Sequence, residues 1–198
     1  MKKNGSATSP TTVSQTAETQ NVAHRLIDLM KDFRVAMLVT QELAPAFSDP
    51  TNSALQSQLR SRPMAIAEVS ASNTICFSTS MTSAKIEEIR KHPDVLVTMQ
   101  SATSYVSIGG RCVLSQDPAE ISRLWNESWR IWFPTGKDDP ELVLIRVPVE
   151  TGEFWDLQGT KGMRFLWQAT MAYFRGEKVA EVADAHGTLT PNASAQPT

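Results

Sequence analysis

Thr74-Ile75-Cys76-Phe77-Ser78-Thr79-Ser80-Met81-Thr82-Ser83-Ala84-Lys85 holds the junction on which the fold turns. Its first half, Thr74 to Thr79, is an apolar run of strand length. A cluster of hydroxyl residues follows, and a short helix is expected from Ser83 to Lys91, stopped by His92-Pro93. Upstream, Ser72-Asn73 is a tight-turn dipeptide that joins this strand to another, Arg62 to Ala71, as a hairpin. Downstream, four further strand signals appear. Asp94 to Met99 alternates Val95, Val97 and Met99, and Ser104 to Leu114 alternates Val106, Ile108, Cys112 and Leu114. Glu141 to Val149 carries Val143, Ile145, Val147 and Val149 in period two, and Gly152 to Leu157 is short. Gly109-Gly110 marks a bulge or a close approach of two backbones. Six strands joined mostly without helical crossovers predict a mainly β fold with flanking helices, an antiparallel barrel or closed sheet.

Outward from these strands the chain opens on a helix. Val22, Leu26, Leu29, Met30 and Phe33 recur at spacings of three and four, and Arg34 to Thr40 is a compact apolar run. Residues 41–61, rich in Pro, Ser, Asn and Gln, read as a long connection, either a functional lid or an insertion. Asp117-Pro118-Ala119-Glu120 has the residues of a capping box with proline at the first helical position. Ile121, Leu124, Trp125, Ser128 and Trp132 then share one face, and a terminal helix is expected from Lys161 to Phe174. Residues 1–20 and 184–198 are polar and lack periodicity, so both are expected as flexible tails around a single domain spanning 21–183.

The 198 residues are 41% hydrophobic and 20% charged, a globular composition. Nineteen basic against twenty-one acidic residues leave a net charge of -2, which argues against a nucleic-acid-coating protein. No apolar run reaches membrane-spanning length, so no membrane role is expected. Cys76 and Cys112 make no disulfide framework and no secretory apolar segment is present, so a reducing cytoplasm is the expected setting.

Chemistry-bearing patterns are few. His24, His92 and His186 are scattered, so no metal constellation is expected; Cys76 and Cys112 sit at apolar strand positions and read as core thiols. Nucleotide-type glycine loops are missing, because Gly109-Gly110 lacks a third glycine and a following helix. The hydroxyl run before Lys85 is different. A helix start offers free N–H groups and a positive dipole end, to which hydroxyls and an ammonium add donors, so the pattern suits an anion such as phosphate. The same residues also read as simple capping by Thr82 or Ser83, with Lys85 in water. A lysine in a first helical turn opposes the dipole unless an anion is present, which favours the site. Arg62 could join it if its strand neighbours the one ending at Thr79; otherwise Arg62 is a strand-end arginine and Pro63 an edge protector. Trp125, Trp129, Trp132, Phe133 and Trp155 read as packing, or as cover for a flat aromatic cofactor.

At these residues the sequence resembles the pyridoxamine 5'-phosphate oxidase-like superfamily of FMN-binding split barrels, and within it the general stress protein branch. The resemblance spans Leu26 to Trp155. It rests on Ser61-Arg62-Pro63-Met64, on Phe77-Ser78-Thr79 followed by Ser83-Ala84-Lys85, and on His92-Pro93. Tyr105-Val106-Ser107-Ile108-Gly109-Gly110, Trp132-Phe133-Pro134 with Asp138-Asp139-Pro140, and Glu153-Phe154-Trp155-Asp156 complete it. It implies a six-stranded split barrel that forms a homodimer with FMN at the subunit interface. Arg62 and the strand through Pro63 and Met64 would meet the flavin, Ser78 and Thr79 would line it, and Ser83 and Lys85 would hold its phosphate. Trp155 or the Trp132 region would approach the ring from the partner subunit.

The chain departs from true pyridoxamine phosphate oxidases, which carry an arginine–histidine cluster after the last tryptophan. Here Asp156 to Met163 holds Lys161 but neither residue type, and Arg164 lies just beyond. The family's Arg-Pro-x-Ser segment is also missing, so vitamin B6 oxidation is not expected. The functions left open are an FMN-dependent oxidoreductase acting on a small molecule, a non-catalytic flavin-binding stress protein, a barrel holding haem or a deazaflavin, and a cofactor-free interaction module. No general acid or base stands out. Scarce histidines weaken the haem reading.

Overall fold

Period-two alternation along successive segments becomes one curled antiparallel sheet. The computed structural model describes residues 10–43, 57–156 and 186–190. Its elements in chain order are α1 (Pro10–Lys31), β1 (Val35–Leu43), β2 (Ser57–Val69), β3 (Thr74–Ser80) and α2 (Ala84–Lys91). Then come β4 (Asp94–Gln100), β5 (Ser104–Arg111), β6 (Val113–Ser115), α3 (Pro118–Leu124) and a 3-10 turn (Glu127–Ile131). β7 (Leu142–Pro148), β8 (Thr151–Asp156) and β9 (His186–Leu189) complete them. The strand order is β6-β7-β3-β2-β1-β4-β5-β8-β9, with every pairing antiparallel.

The mainly β architecture with flanking helices agrees with the sequence reading, but the described residues form nine strands where six were expected. The segment Ser104 to Leu114 divides at Cys112, whose N–H donates to the Pro93 carbonyl (2.8 Å), so β5 pairs with β4 and β8 while β6 crosses to β7. The connection expected over 41–61 is shortened from both ends. β1 runs on to Leu43 and β2 begins at Ser57, in unbroken register from Val35↔Ala65 to Leu43↔Ser57. Two stretches read as tails carry structure. α1 begins at Pro10, ahead of the apolar periodicity that marks its later turns in the sequence, and β9 pairs with β8 from Gly152↔Leu189 to Trp155↔His186. The expected terminal helix 161–174 lies outside the described residues.

The main core fills the concave side of the sheet. Leu26, Leu29 and Met30 from α1 and Ile86 and Ile89 from α2 meet Leu38, Phe77, Val97, Ile108 and Ile145 there. α1 is also tied to β8 by an ion pair between Arg25 and the buried Asp156. A second, smaller cluster lies on the convex side of β3 and β7, where Cys76, Leu142 and Leu144 pack under Ile121 and Phe133. Both thiols are buried and free, and burial pushes each up to about 12, as befits core residues. The single long helix expected from Asp117 through Trp132 is corrected. Asp117 does cap α3 by accepting from the Ala119 N–H (3.0 Å), but the backbone turns extended at Trp125. Asn126 then recaps the chain by accepting from the Ser128 N–H (3.0 Å). Trp125 and Trp129 meet edge to face with centroids 5.8 Å apart, while Trp132 is left 77% exposed.

The remaining convex face, over β2, β1, β4, β5 and β8, carries no helix among the described residues. Val35 and Met37 on β1, Leu96 on β4, Tyr105 on β5 and Trp155 on β8 are exposed there. The sheet curls shut where β5 meets β7. A Cβ on Gly110 would fall 1.9 Å from the Pro148 carbonyl oxygen, and the Glu150 N–H donates to the Gly109 carbonyl (3.0 Å). The close approach expected at Gly109-Gly110 is therefore present. A Cβ on Gly109 meets only the end of the Thr151 side chain, at 2.6 Å. Gly110→Ala is expected to destabilise the protein by about 3 kcal/mol, since backbone must move, and Gly109→Ala by clearly less. Urea denaturation of the two variants checks the order; equal losses would contradict the closure described.

Candidate functional site: a cationic cluster at the start of helix α2

β3 delivers the chain to α2 through Ser80-Met81-Thr82-Ser83, and the hydroxyls of this run divide into two groups. Ser80 Oγ and Thr82 Oγ1 lie 2.7 Å apart, and both donate to Glu141 Oε2, at 2.8 and 3.3 Å. That set ties the turn to the start of β7. Thr79 and Ser83 instead accept from the Lys85 ammonium, at 2.9 and 2.6 Å. Ser83 is the N-cap residue of α2, yet its side chain makes no capping bond. Capping with Lys85 in water is thus not what the structure contains. Lys85 is half-buried and folded back over the helix start, and among the described residues no carboxylate ion-pairs with it. The N–H groups of Ala84 and Lys85, in the first turn, have no acceptor within the helix.

β2 pairs with both β3 and β1, which meets the condition for Arg62 to reach this place. Arg62 lies on the concave side, where its guanidinium grips Glu88 of α2 through two bonds: Nη1 to Oε2 at 2.8 Å and Nη2 to Oε1 at 3.1 Å. Nη1 also donates to Thr40 Oγ1 of β1 (2.8 Å), and the Thr40 hydroxyl donates to Glu88 Oε2. Glu88 is 6% exposed and Thr40 1%. Burial pushes the Glu88 carboxyl up, but the bonds from Arg62 and Thr40 and the charges of Arg62 and Arg60 outweigh it and hold the group below the usual carboxylate range. Lys85 is also held below its ordinary value, which for a base disfavours the charged form. Burial lowers it first, the Arg62 charge lowers it further, and Glu88 partly restores it. An anion placed beside Lys85 and Arg62 would relieve both unfavourable contributions.

Of the residues singled out from sequence, the structure joins Thr79, Ser83 and Lys85 by hydrogen bonds and anchors Arg62 to Glu88, one turn along α2 from Lys85. Met64 is buried in the main core next along β2, and Pro63 lies on the opposite face, across from Met37. Ser78 points to the convex side of β3 with Cys76, away from Thr79. Trp155 stands on the convex face of β8, partly exposed, and Trp132 on the exposed end of the 3-10 turn. Thr40 and Glu88 were not singled out. Thr40 carried a signal, since it continues the inward set Ala36 and Leu38 at period two. Glu88 carried almost none, because one carboxylate in a short amphipathic helix reads as solvated surface. His92, the C-cap of α2, keeps a buried Nε2 without a hydrogen-bond partner. Among the described residues no group of three or more metal-ligating side chains occurs, and no helix is long and apolar enough to cross a membrane.

The chain is similar to general stress protein 26 of Jannaschia sp. at 20% identity, with a TM-score of 0.61 over 86% of this chain and 99% of that one. It is similar to the general stress FMN/FAD binding protein of Xanthomonas citri at 25% identity, with a TM-score of 0.54 over 71% of this chain and 92% of that one. A general stress family protein of Xanthomonas campestris is 26% identical, with a TM-score of 0.53 over 71% and 90%. No curated protein sequence matches the chain. The family model described as pyridoxamine 5'-phosphate oxidase like matches residues 21–180. With four-fifths of its length matched and the split-barrel topology in place, the chain belongs to the pyridoxamine 5'-phosphate oxidase-like family.

Proposed function

We propose that the protein is a cytoplasmic FMN-binding flavoprotein, a homodimer with the flavin at the subunit interface, that exchanges electrons with a small-molecule substrate. The observation that carries the cofactor is Lys85, a half-buried ammonium at a helix start whose side-chain partners are two neutral hydroxyls. A buried cation is costly unless paired, and a phosphate monoester supplies the missing charge. The residues present suit that group. Lys85, Arg62, the hydroxyls of Thr79 and Ser83, and the first N–H groups of α2 are all donors, and they sit together. The similarity to the Xanthomonas citri protein, described as binding FMN or FAD, supports the choice of phosphate ester. A bound flavin supplies the hydride and single-electron chemistry. The chain's own contribution is to hold the phosphate in a cationic corner and so fix the cofactor's position.

The convex face, which carries no helix over β2, β1, β4, β5 and β8 among the described residues, supports the homodimer. Exposed apolar side chains in the middle of a sheet, rather than at its rim, are what an interface between two copies covers. Leu96, 42% exposed on β4, an interior strand of the sheet, is the most direct probe of it. Trp155 lies on the same face, where a partner subunit would bring it toward a shared flavin, and Trp132 projects from the next exposed segment.

Lys85→Ala is expected to weaken FMN binding by about 1.5–3 kcal/mol, the value of a hydrogen bond to a charged group. Fluorescence titration checks it, and wild-type affinity would put Lys85 outside the site. In sedimentation, the wild type is expected as a dimer and Leu96→Arg as a folded monomer; a wild-type monomer would contradict the interface. Stopped-flow mixing of the flavin-loaded protein with NADH or NADPH tests the redox role. Bleaching of the flavin band supports an oxidoreductase, and a flavin reduced by neither donor supports a storage or sensing role.

A further inference from the structure

The Arg62 guanidinium has five N–H donors on three sides, and the structure shows which are spent. Glu88 takes the edge formed by Nη1 and Nη2, and Thr40 Oγ1 also accepts from Nη1. The edge formed by Nε and the second hydrogen of Nη2 has no partner among the described residues. A guanidinium presents this edge as a second two-pronged fork, matched to two oxygens of one anion. Glu88 and Thr40 come from different elements, α2 and β1, and both are buried, so the plane of the guanidinium is fixed from two directions. Lys85 stands one turn before Glu88 on the same helix, close enough for the two charges to affect it.

We infer that Glu88, with Thr40, is a positioning residue that turns the free Nε–Nη2 edge of Arg62 toward the phosphate held by Lys85. The inference rests on the phosphate-ester reading above and names the residue that makes Arg62 selective for it. Charge counting alone gives the opposite expectation. Glu88 is the carboxylate beside two cations, so its removal would strengthen the attraction for an anion. Positioning requires that its removal weaken phosphate recognition, because a freed arginine no longer presents a fixed fork and loses the gain of preorganisation.

The test is the ratio of affinities for FMN and riboflavin, which differ only in the phosphate, measured by flavin fluorescence for the wild type, Glu88→Gln, Arg62→Ala and the double variant. The wild type is expected to prefer FMN. Glu88→Gln is expected to cut that preference by about tenfold, the scale of one charge-assisted bond. In the Arg62→Ala background the same change is expected to do nothing, since Glu88 acts through Arg62. An unchanged or increased preference in Glu88→Gln overturns the inference. So does an equal loss in both backgrounds, which would assign Glu88 to Lys85 or to folding. A wild type with no preference for FMN overturns the phosphate reading itself, and the inference with it. Should Glu88→Gln not fold, Thr40→Val decides. It is expected to lower the preference while Thr40→Ser keeps it, and equal preferences in these two variants overturn the inference.

Discussion

A buried carboxylate gripped by one arginine organises the site end of this molecule. Glu88 on α2, Arg62 on β2 and Thr40 on β1 form one hydrogen-bonded unit across three elements. Such a pair contributes little net stability over well-packed apolar groups, because two ions must leave water. Its loss is another matter, since removing one partner strands a buried charge at a cost of about 3–5 kcal/mol. The unit therefore acts less as glue than as a constraint. It fixes where α2 starts relative to the sheet, and with that start it fixes Lys85 and the two hydroxyls that hold its ammonium. The cationic corner exists because the ion pair sets its frame, and net positive charge survives there because Lys85 has no carboxylate of its own among the described residues.

The second constraint is the uneven cover of the sheet. α1 and α2 fill the concave side, and α3 with the 3-10 turn covers β3 and β7 on the convex side. The rest of the convex face exposes Val35, Met37, Leu96, Tyr105 and Trp155 and carries no helix among the described residues. Sheets keep polar residues on a solvated face. β1 instead shows Val35 and Met37 outward as well as Ala36 and Leu38 inward, the pattern of a strand expecting cover on both faces. Closure at Gly110 brings β5 and β7 together and so decides which strands stay on the uncovered side.

Much of the fold was legible because burial on one face writes itself as period two. β4, β5 and β8 fall where Val95, Val106 and Phe154 alternate with outward residues. The turn at Ser72-Asn73 was readable from chemistry, and Asn73 does take a left-handed conformation (φ 58°). What stayed hidden had physical reasons. The ends of β1 and β2 near Leu43 and Ser57 are polar and paired through backbone, so composition suggested a loop. The break at Trp125 was masked because apolar spacing continues through Ser128 to Trp132, although Asn126 had the side chain to restart the chain. In the site, Lys85, Thr79, Ser83 and Arg62 were legible as donors an anion needs. Glu88 was not, because the register that buries it against Arg62 comes from the packing of α2 on β1 and not from any local pattern.

The central claim is that this cationic corner is built for the phosphate of a flavin. Its most direct test is an equilibrium titration of purified wild-type protein with FMN, followed by flavin absorbance, with inorganic phosphate as competitor. The account predicts saturation at one FMN per subunit and a spectral shift that phosphate reverses as it displaces the cofactor. A protein that takes up no FMN, or one whose bound flavin is indifferent to phosphate, would contradict it.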